Sequence, residues 1–399
     1  MKNRKVAFFI TFSIDKRKGP DKIKLRVKKK IIQHLLFYEK EKDMNNIKLE
    51  LSKMFTKSEK EIISKITGTL GVAIENGKGG SGKTTTGLEL AHAMPYAGLT
   101  DIAYLTADVN EAALKLFDQK YCETQFPKNT FFHPISVKSA GEKTKSEINE
   151  EMSRKLLAEE RLKDWAKDNE KVLNPEDYDY CFSVVRDGEL KKANIAIFDL
   201  AGGVNQVDFD QIKDDCIRSF ITVEKEHDFS AKDNALKALR NMAERQNGYT
   251  AMHIAKQIAR EKGIELNQVP LERIKSMPKE SFNKIKAQRN FTYTYVYTVH
   301  KGKLSVKDAR KSLVEIKKIE QEFGIKVNFL IAPPVAFNEL AVRGLGHLTT
   351  QDAARAQGHK IGNIATIDKN QELYDFVRDL VLSVYGMYTA KKYELRVGR

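Results

Sequence analysis

One stretch constrains this chain more than any other: Asn76-Gly-Lys-Gly-Gly-Ser-Gly-Lys-Thr84. From Gly77 to Thr84 it fits the pattern Gly-x-x-x-x-Gly-Lys-Ser/Thr. Gly77, Gly79, Gly80 and Gly82 allow the backbone to curl so tightly that successive N–H groups converge on one anion. The apolar run Leu70–Glu75 before it reads as a short strand, and Leu88, Leu90, Ala91 and Met94 after it suit a helix. A strand entering and a helix leaving are the context the pattern requires, because the helix start adds its positive dipole end to a phosphate site. The pattern assigns Lys83 to the charge on β- and γ-phosphates and the Thr84 hydroxyl to Mg²⁺, with Ser81 and Thr85 beside them.

The rest of the chain repeats the alternation of apolar strand and helix. Asp101–Ala107 reads as a second strand ending at Asp108, and Thr130–Val137 as a further one. Asn194–Phe198 is apolar throughout and stops at Asp199, before Leu-Ala-Gly-Gly203. Ser219–Val223, Phe291–Val299 and Val327–Ile331 complete the strands. Helices are expected at 230–246, 250–262, 306–322 and Gln371–Tyr388, and Ser58-Glu-Lys-Glu61 reads as a capping box opening an earlier one. Strands without in/out alternation, separated by helices, indicate an α/β fold: a doubly wound, mostly parallel sheet covered on both faces. In such sheets ligands sit at the carboxyl ends of the strands, where the loop, Asp108 and Asp199 all fall.

Charge divides the chain unevenly. Met1–Lys30 carries 12 Lys/Arg against 2 acids, a net of +10; the whole chain is +15, so +5 remains for the other residues. Such a block gathers phosphate charge from nucleic acid or an anionic membrane, or serves as a solubilising extension. The organisation expected is a basic N-terminal extension over 1–55, a domain over 56–390 with helical insertions near 142–190 and 245–285, and a basic tail over 391–399. No run is long and apolar enough to span a bilayer, and Val6–Ile14 lacks a cleavage site and reads as a strand rather than a secretion signal. Cys122, Cys181 and Cys216 are scattered without metal-ligand spacing, which fits a reducing cytoplasm.

The second lysine, Lys78, narrows the reading. Lys78-Gly-Gly-Ser-Gly-Lys-Thr84 resembles the deviant Walker A motif of the ParA/MinD family of P-loop ATPases. The resemblance implies that Lys78 reaches the phosphates of nucleotide bound by a partner subunit, tying ATP binding to dimerisation. It further implies that Asp108 is the switch I aspartate near water and metal, and that Asp199 is the Walker B acid in the Mg²⁺ shell. Gly202 and Gly203 would then form switch II. Pro333 and Pro334, within Ile331-Ala-Pro-Pro334, resemble the family's segment near the adenine; no Asn-Lys-x-Asp run for guanine occurs. Two departures stand out. Thr106-Ala-Asp108-Val-Asn110 lacks the family's first acid, proline and glutamine, and Ala201 replaces a proline after Asp199, so slow, partner-stimulated hydrolysis is expected.

The resulting expectation is an ATP- and Mg²⁺-dependent homodimeric switch in the cytoplasm. It would bind DNA without sequence preference and segregate a plasmid or similar element with a ParB-like adaptor. Lys28-Lys-Lys30, Arg310-Lys311, Lys317-Lys318 and Arg343 are its candidate DNA contacts. Two alternatives are a MinD-like membrane- or pole-positioning ATPase and an ATP-dependent metabolic ligase or metal chaperone on the same fold. The last helix has the apolar face that a membrane helix needs, but Leu373, Phe376, Val377, Leu380 and Val384 read as packed core.

Overall fold

A computed structural model describes residues 53–66, 68–106, 130–136, 183–186, 189–200, 217–299, 304–332 and 367–388. The chain divides into two units, Met1–Leu49 and Glu50–Arg399, and all the described residues belong to the second. Asp108, Pro333, Pro334, the three cysteines, the switch II glycines, Arg343, the Met1–Lys30 block and the 391–399 tail lie outside the described residues.

Seven strands form one all-parallel sheet: β1 (Leu70–Glu75), β2 (Asp101–Thr106), β3 (Phe131–Ser136), β6 (Ile195–Asp199), β7 (Ile217–Lys225), β8 (Thr292–Thr298) and β9 (Val327–Ala332). Their order is β3-β2-β6-β1-β7-β8-β9. The central strands β1 and β6 are buried at every position, as expected for strands covered on both faces. Because β6 lies on one side of β1 and β7 on the other, the chain reverses its direction of winding at β1. The loop that leaves β1 therefore sits at the topological switch point. A short antiparallel hairpin, β4 (Ser183–Arg186) with β5 (Glu189–Lys192), was not expected from the sequence.

The two faces of β8 show how the layers form. Its alternating Thr-Tyr-Thr-Tyr-Val-Tyr-Thr sends Tyr293 and Tyr295 into the core with Phe220, Leu239 and Ile316. On the opposite face, Thr294 Oγ1 donates to Ser383 Oγ at 2.9 Å. The first face is covered by α3 (Phe229–Lys262) and α6 (Val306–Phe323), the second by α2 (Lys83–Ala93) and α7 (Ile367–Val384). The apolar face of α7 is buried at Phe376, Val377, Leu380 and Val384, as packed core.

Two helical expectations need correction. The helix α1 (Lys57–Ser64) is capped by Thr56 rather than Ser58. Thr56 Oγ1 accepts from Glu59 N at 3.3 Å, and Glu59 Oε2 accepts from Thr56 N at 2.8 Å. Both Thr56-x-x-Glu59 and Ser58-x-x-Glu61 fit the capping spacing, and the buried Phe55 pins the chain at the earlier one. The expected break between 246 and 250 is absent, and α3 runs unbroken for 34 residues. Gly248 costs a helix about 1 kcal/mol against alanine, but the residue after it is held by the sheet and the next one bonds back across it. Tyr249 stacks on Phe220 of β7 at 5.7 Å, and Thr250 Oγ1 donates back to Gln246 O at 2.9 Å.

Beyond Thr250, α3 packs with α4 (Leu271–Lys275) and α5 (Lys279–Gln288) around a small core of its own, centred on Ile254, Ile258, Val269 and Ile274.

Candidate phosphate-binding site

The loop between β1 and α2 closes on itself. Gly80 and Gly82 take φ of 73° and 101°, the left-handed region where a side chain would be strained. An added Cβ at Gly79 or Gly80 would meet nothing within 4 Å, so the outer rim of the loop is bare backbone. Lys83, only 6% exposed, folds inward and its Nζ donates to Lys78 O at 3.1 Å. Ser81 Oγ is buried and has no hydrogen-bond partner among the described residues. Thr84 and Thr85 follow in the first turn of α2, both half-buried.

Asn76 fastens the loop to the rest of the sheet. Its Nδ2 donates to Val223 O at 2.6 Å and Ala231 O at 2.9 Å, while its Oδ1 accepts from Lys78 N at 2.8 Å. Gly77 is a close approach rather than a turn: a Cβ there would lie 3.2 Å from Asn234 Oδ1 of α3. The end of β7 and the start of α3 thus clasp the loop from the side.

Lys78 points the other way from Lys83. Its ammonium sits 2.7 Å from both carboxylate oxygens of Asp228, with the two side chains 37% and 25% exposed. Asp228 is also the N-cap of α3, Oδ1 accepting from Ala231 N at 3.0 Å. These bonds, the one from Lys78 foremost, hold its carboxyl below the usual range. No sequence pattern pairs residues 150 positions apart, and the sequence reading singled out neither Asp228 nor its bond to Lys78.

Asp199 closes β6 level with Ile74 of β1 and Thr106 of β2. It is buried, and Tyr104 OH donates to its Oδ2 at 3.1 Å. The polar atoms on this side of the sheet fit the groups the loop implies. A buried hydroxyl lacking a partner, an inward lysine and an open glycine rim suit a polyphosphate. One carboxylate and one threonine hydroxyl suit Mg²⁺, which takes its other ligands from phosphate and water.

A second polar network was missed by the sequence reading. On the face toward α3 and α6, Glu224 accepts from Tyr295 OH at 2.7 Å and Ser312 Oγ at 3.0 Å. Burial raises its carboxyl pKa against the pull of those two bonds. Glu226 accepts from the backbone N–H of Ser305, the N-cap of α6, at 2.6 Å. His227, at a left-handed φ of 60°, places Nδ1 3.6 Å from Asp308. The turn 226–228 therefore touches α6 on one side and Lys78 on the other. Of the basic candidates on α6, Lys311 bonds Asp308 at 2.9 Å, Lys318 bonds Glu315 at 2.7 Å, and Lys317 bonds Glu320.

No family model matches the sequence, and no curated protein matches it. Among solved structures, the chain is similar to apo McdA from Cyanothece at 11% identity, covering 78% of this chain and 99% of that one, with a TM-score of 0.36. It is similar to the MinD cell division protein of Aquifex aeolicus at 14% identity, covering 78% and 96%, with a TM-score of 0.34. An ATP complex of a Cyanothece McdA variant matches at 11% identity, covering 81% and 99%, also with a TM-score of 0.34. At such identities and scores the fold is read from this chain's own strand order.

Proposed function

We propose that this chain is an ATP-binding and ATP-hydrolysing switch of the ParA/MinD type, which dimerises with ATP and positions DNA or a similar large cargo. The observation that carries this reading is the division of labour between two lysines in one loop. Lys83 is drawn inside, where phosphates would lie, whereas Lys78 stands at the rim on an exchangeable ion pair with Asp228. ATP would supply the γ-phosphate as the signal, and its hydrolysis would reset the switch. Lys83 and the loop N–H groups would hold the phosphates, and Thr84 and Asp199 would hold Mg²⁺. Asp108 would orient water with a partner's help. Lys78 would leave Asp228 for the nucleotide of a second copy.

Duplex DNA is the cargo proposed because Met1–Lys30 carries a net charge of +10. Lys311, Lys317 and Lys318 of α6 are each engaged by an acid of their own helix, which moves the weight onto that block. The membrane alternative loses its best element, since the apolar face of α7 is spent in the core.

Fluorescence anisotropy of random-sequence duplex DNA, with no nucleotide, ADP or ATP across a salt series, tests the reading. Binding confined to ATP and falling steeply with salt is expected. Binding indifferent to nucleotide credits only the basic block, and absent binding removes DNA as the cargo.

A further inference from the structure

Phe229 is the first residue of α3 and follows directly on Asp228, which holds Lys78. Its side chain is 80% exposed, the largest exposure of any large apolar residue among those described. The helix start does not depend on the ring, because Asp228 makes the cap to Ala231 N. A second exposed apolar residue, Val306 at 37%, opens α6. The two helix starts are tied to one turn, through Glu226 to Ser305 N and through His227 to Asp308. Lys78, held by Asp228, runs directly into the bare rim of Gly79 and Gly80, where even an added Cβ meets open space.

The charges next to this apolar pair decide what it fits. A patch of one sign would select an ion of the other. Here a cation and an anion, Lys78 and Asp228, stand together and both reach solvent. A surface that carries both signs suits a two-fold interface, in which each residue i faces j of the other copy while j faces i. Each copy then offers Lys78 as the cation that meets the other copy's bound nucleotide, so charge is complementary across the seam in both directions. An aromatic side chain beside them is the residue type enriched in the anchors of interfaces.

We propose that Phe229, supported by Val306, is the apolar anchor of a two-fold interface with a second copy of this chain, formed on the rim of the nucleotide loop. The proposal rests on the reading that nucleotide binding drives dimerisation, and it names the residue that would supply the contact energy.

The test is sedimentation velocity of the full chain with Mg²⁺ and a slowly hydrolysed ATP analogue, for wild type, Phe229→Ala and Lys78→Ala. It is paired with fluorescent-nucleotide titration at concentrations where the chain is monomeric. The expected result is a wild-type dimer whose dissociation constant rises about tenfold or more in Phe229→Ala. Monomer nucleotide affinity should stay within about twofold, since the ring lies outside the loop. Equal dimerisation of wild type and Phe229→Ala overturns the proposal. A comparable loss of nucleotide affinity in the monomer overturns it too, assigning the ring to the base. If wild type stays monomeric with nucleotide bound, both the anchor and the switch reading fall. If Lys78→Ala alone dimerises normally, the role of Lys78 falls while the anchor stands.

Discussion

Glu89 shows what burial does to a single group in the helix that follows the glycine-rich loop. It lies on α2 with almost no exposure, and desolvation pushes its carboxyl from 4.5 up to about 8. In the unfolded chain the acid ionises near its ordinary value, so between 4.5 and about 8 the folded chain holds a proton that the unfolded one releases. The stability this group allows is fully present below the lower value and is lost as pH rises through the upper one. Glu89→Gln has no proton to lose. Measured by urea unfolding, it should gain on wild type by about 1.4 kcal/mol per pH unit across that window. A difference that does not change with pH would mean that Glu89 is ionised in the folded chain. Of the loop residues, Lys78 and Lys83 were distinguishable from sequence by position in the motif. The burial of Glu89 was not, because a lone acid among Leu88, Leu90 and Ala91 reads equally well as a solvated face.

At the scale of elements, α2 and β2 meet at a contact that reaches the site. A Cβ on Gly87 would lie 2.8 Å from Tyr104 OH and 3.1 Å from Ile74 Cδ1. The same hydroxyl donates to Asp199, so the small residue on the helix keeps the acid oriented. Gly87→Ala should push the tyrosine off Asp199. The expected cost is about 1–3 kcal/mol of stability by thermal unfolding, together with weaker Mg²⁺-dependent turnover of ATP. Unchanged turnover in a folded variant would separate Asp199 from metal binding. The strands around this contact were legible as continuous apolar runs; β1 matches its expected bounds residue for residue. What was not legible depended on distant packing. Asn247-Gly248 reads as a breaker until Tyr249 is seen stacked on the sheet, and β4–β5 is too short and polar to signal a hairpin.

At the scale of the whole molecule, the strand order explains why one loop matters. With β6 and β7 on either side of β1, the switch point opens above the glycine-rich turn, and Asp199, Asn76 and Asp228 converge on it from three different strand ends. No described helix is long and apolar enough to cross a membrane. The fold class was readable from alternation alone, whereas the clasp of the loop by the β7–α3 turn required the three-dimensional chain. Isothermal titration calorimetry of Mg·ATP into the full chain, for wild type and Lys83→Ala, tests the central claim most directly. Binding at one site per chain that vanishes in the folded Lys83→Ala variant is the predicted result. No heat of binding in folded wild type, or undiminished affinity in Lys83→Ala, would contradict the nucleotide site itself.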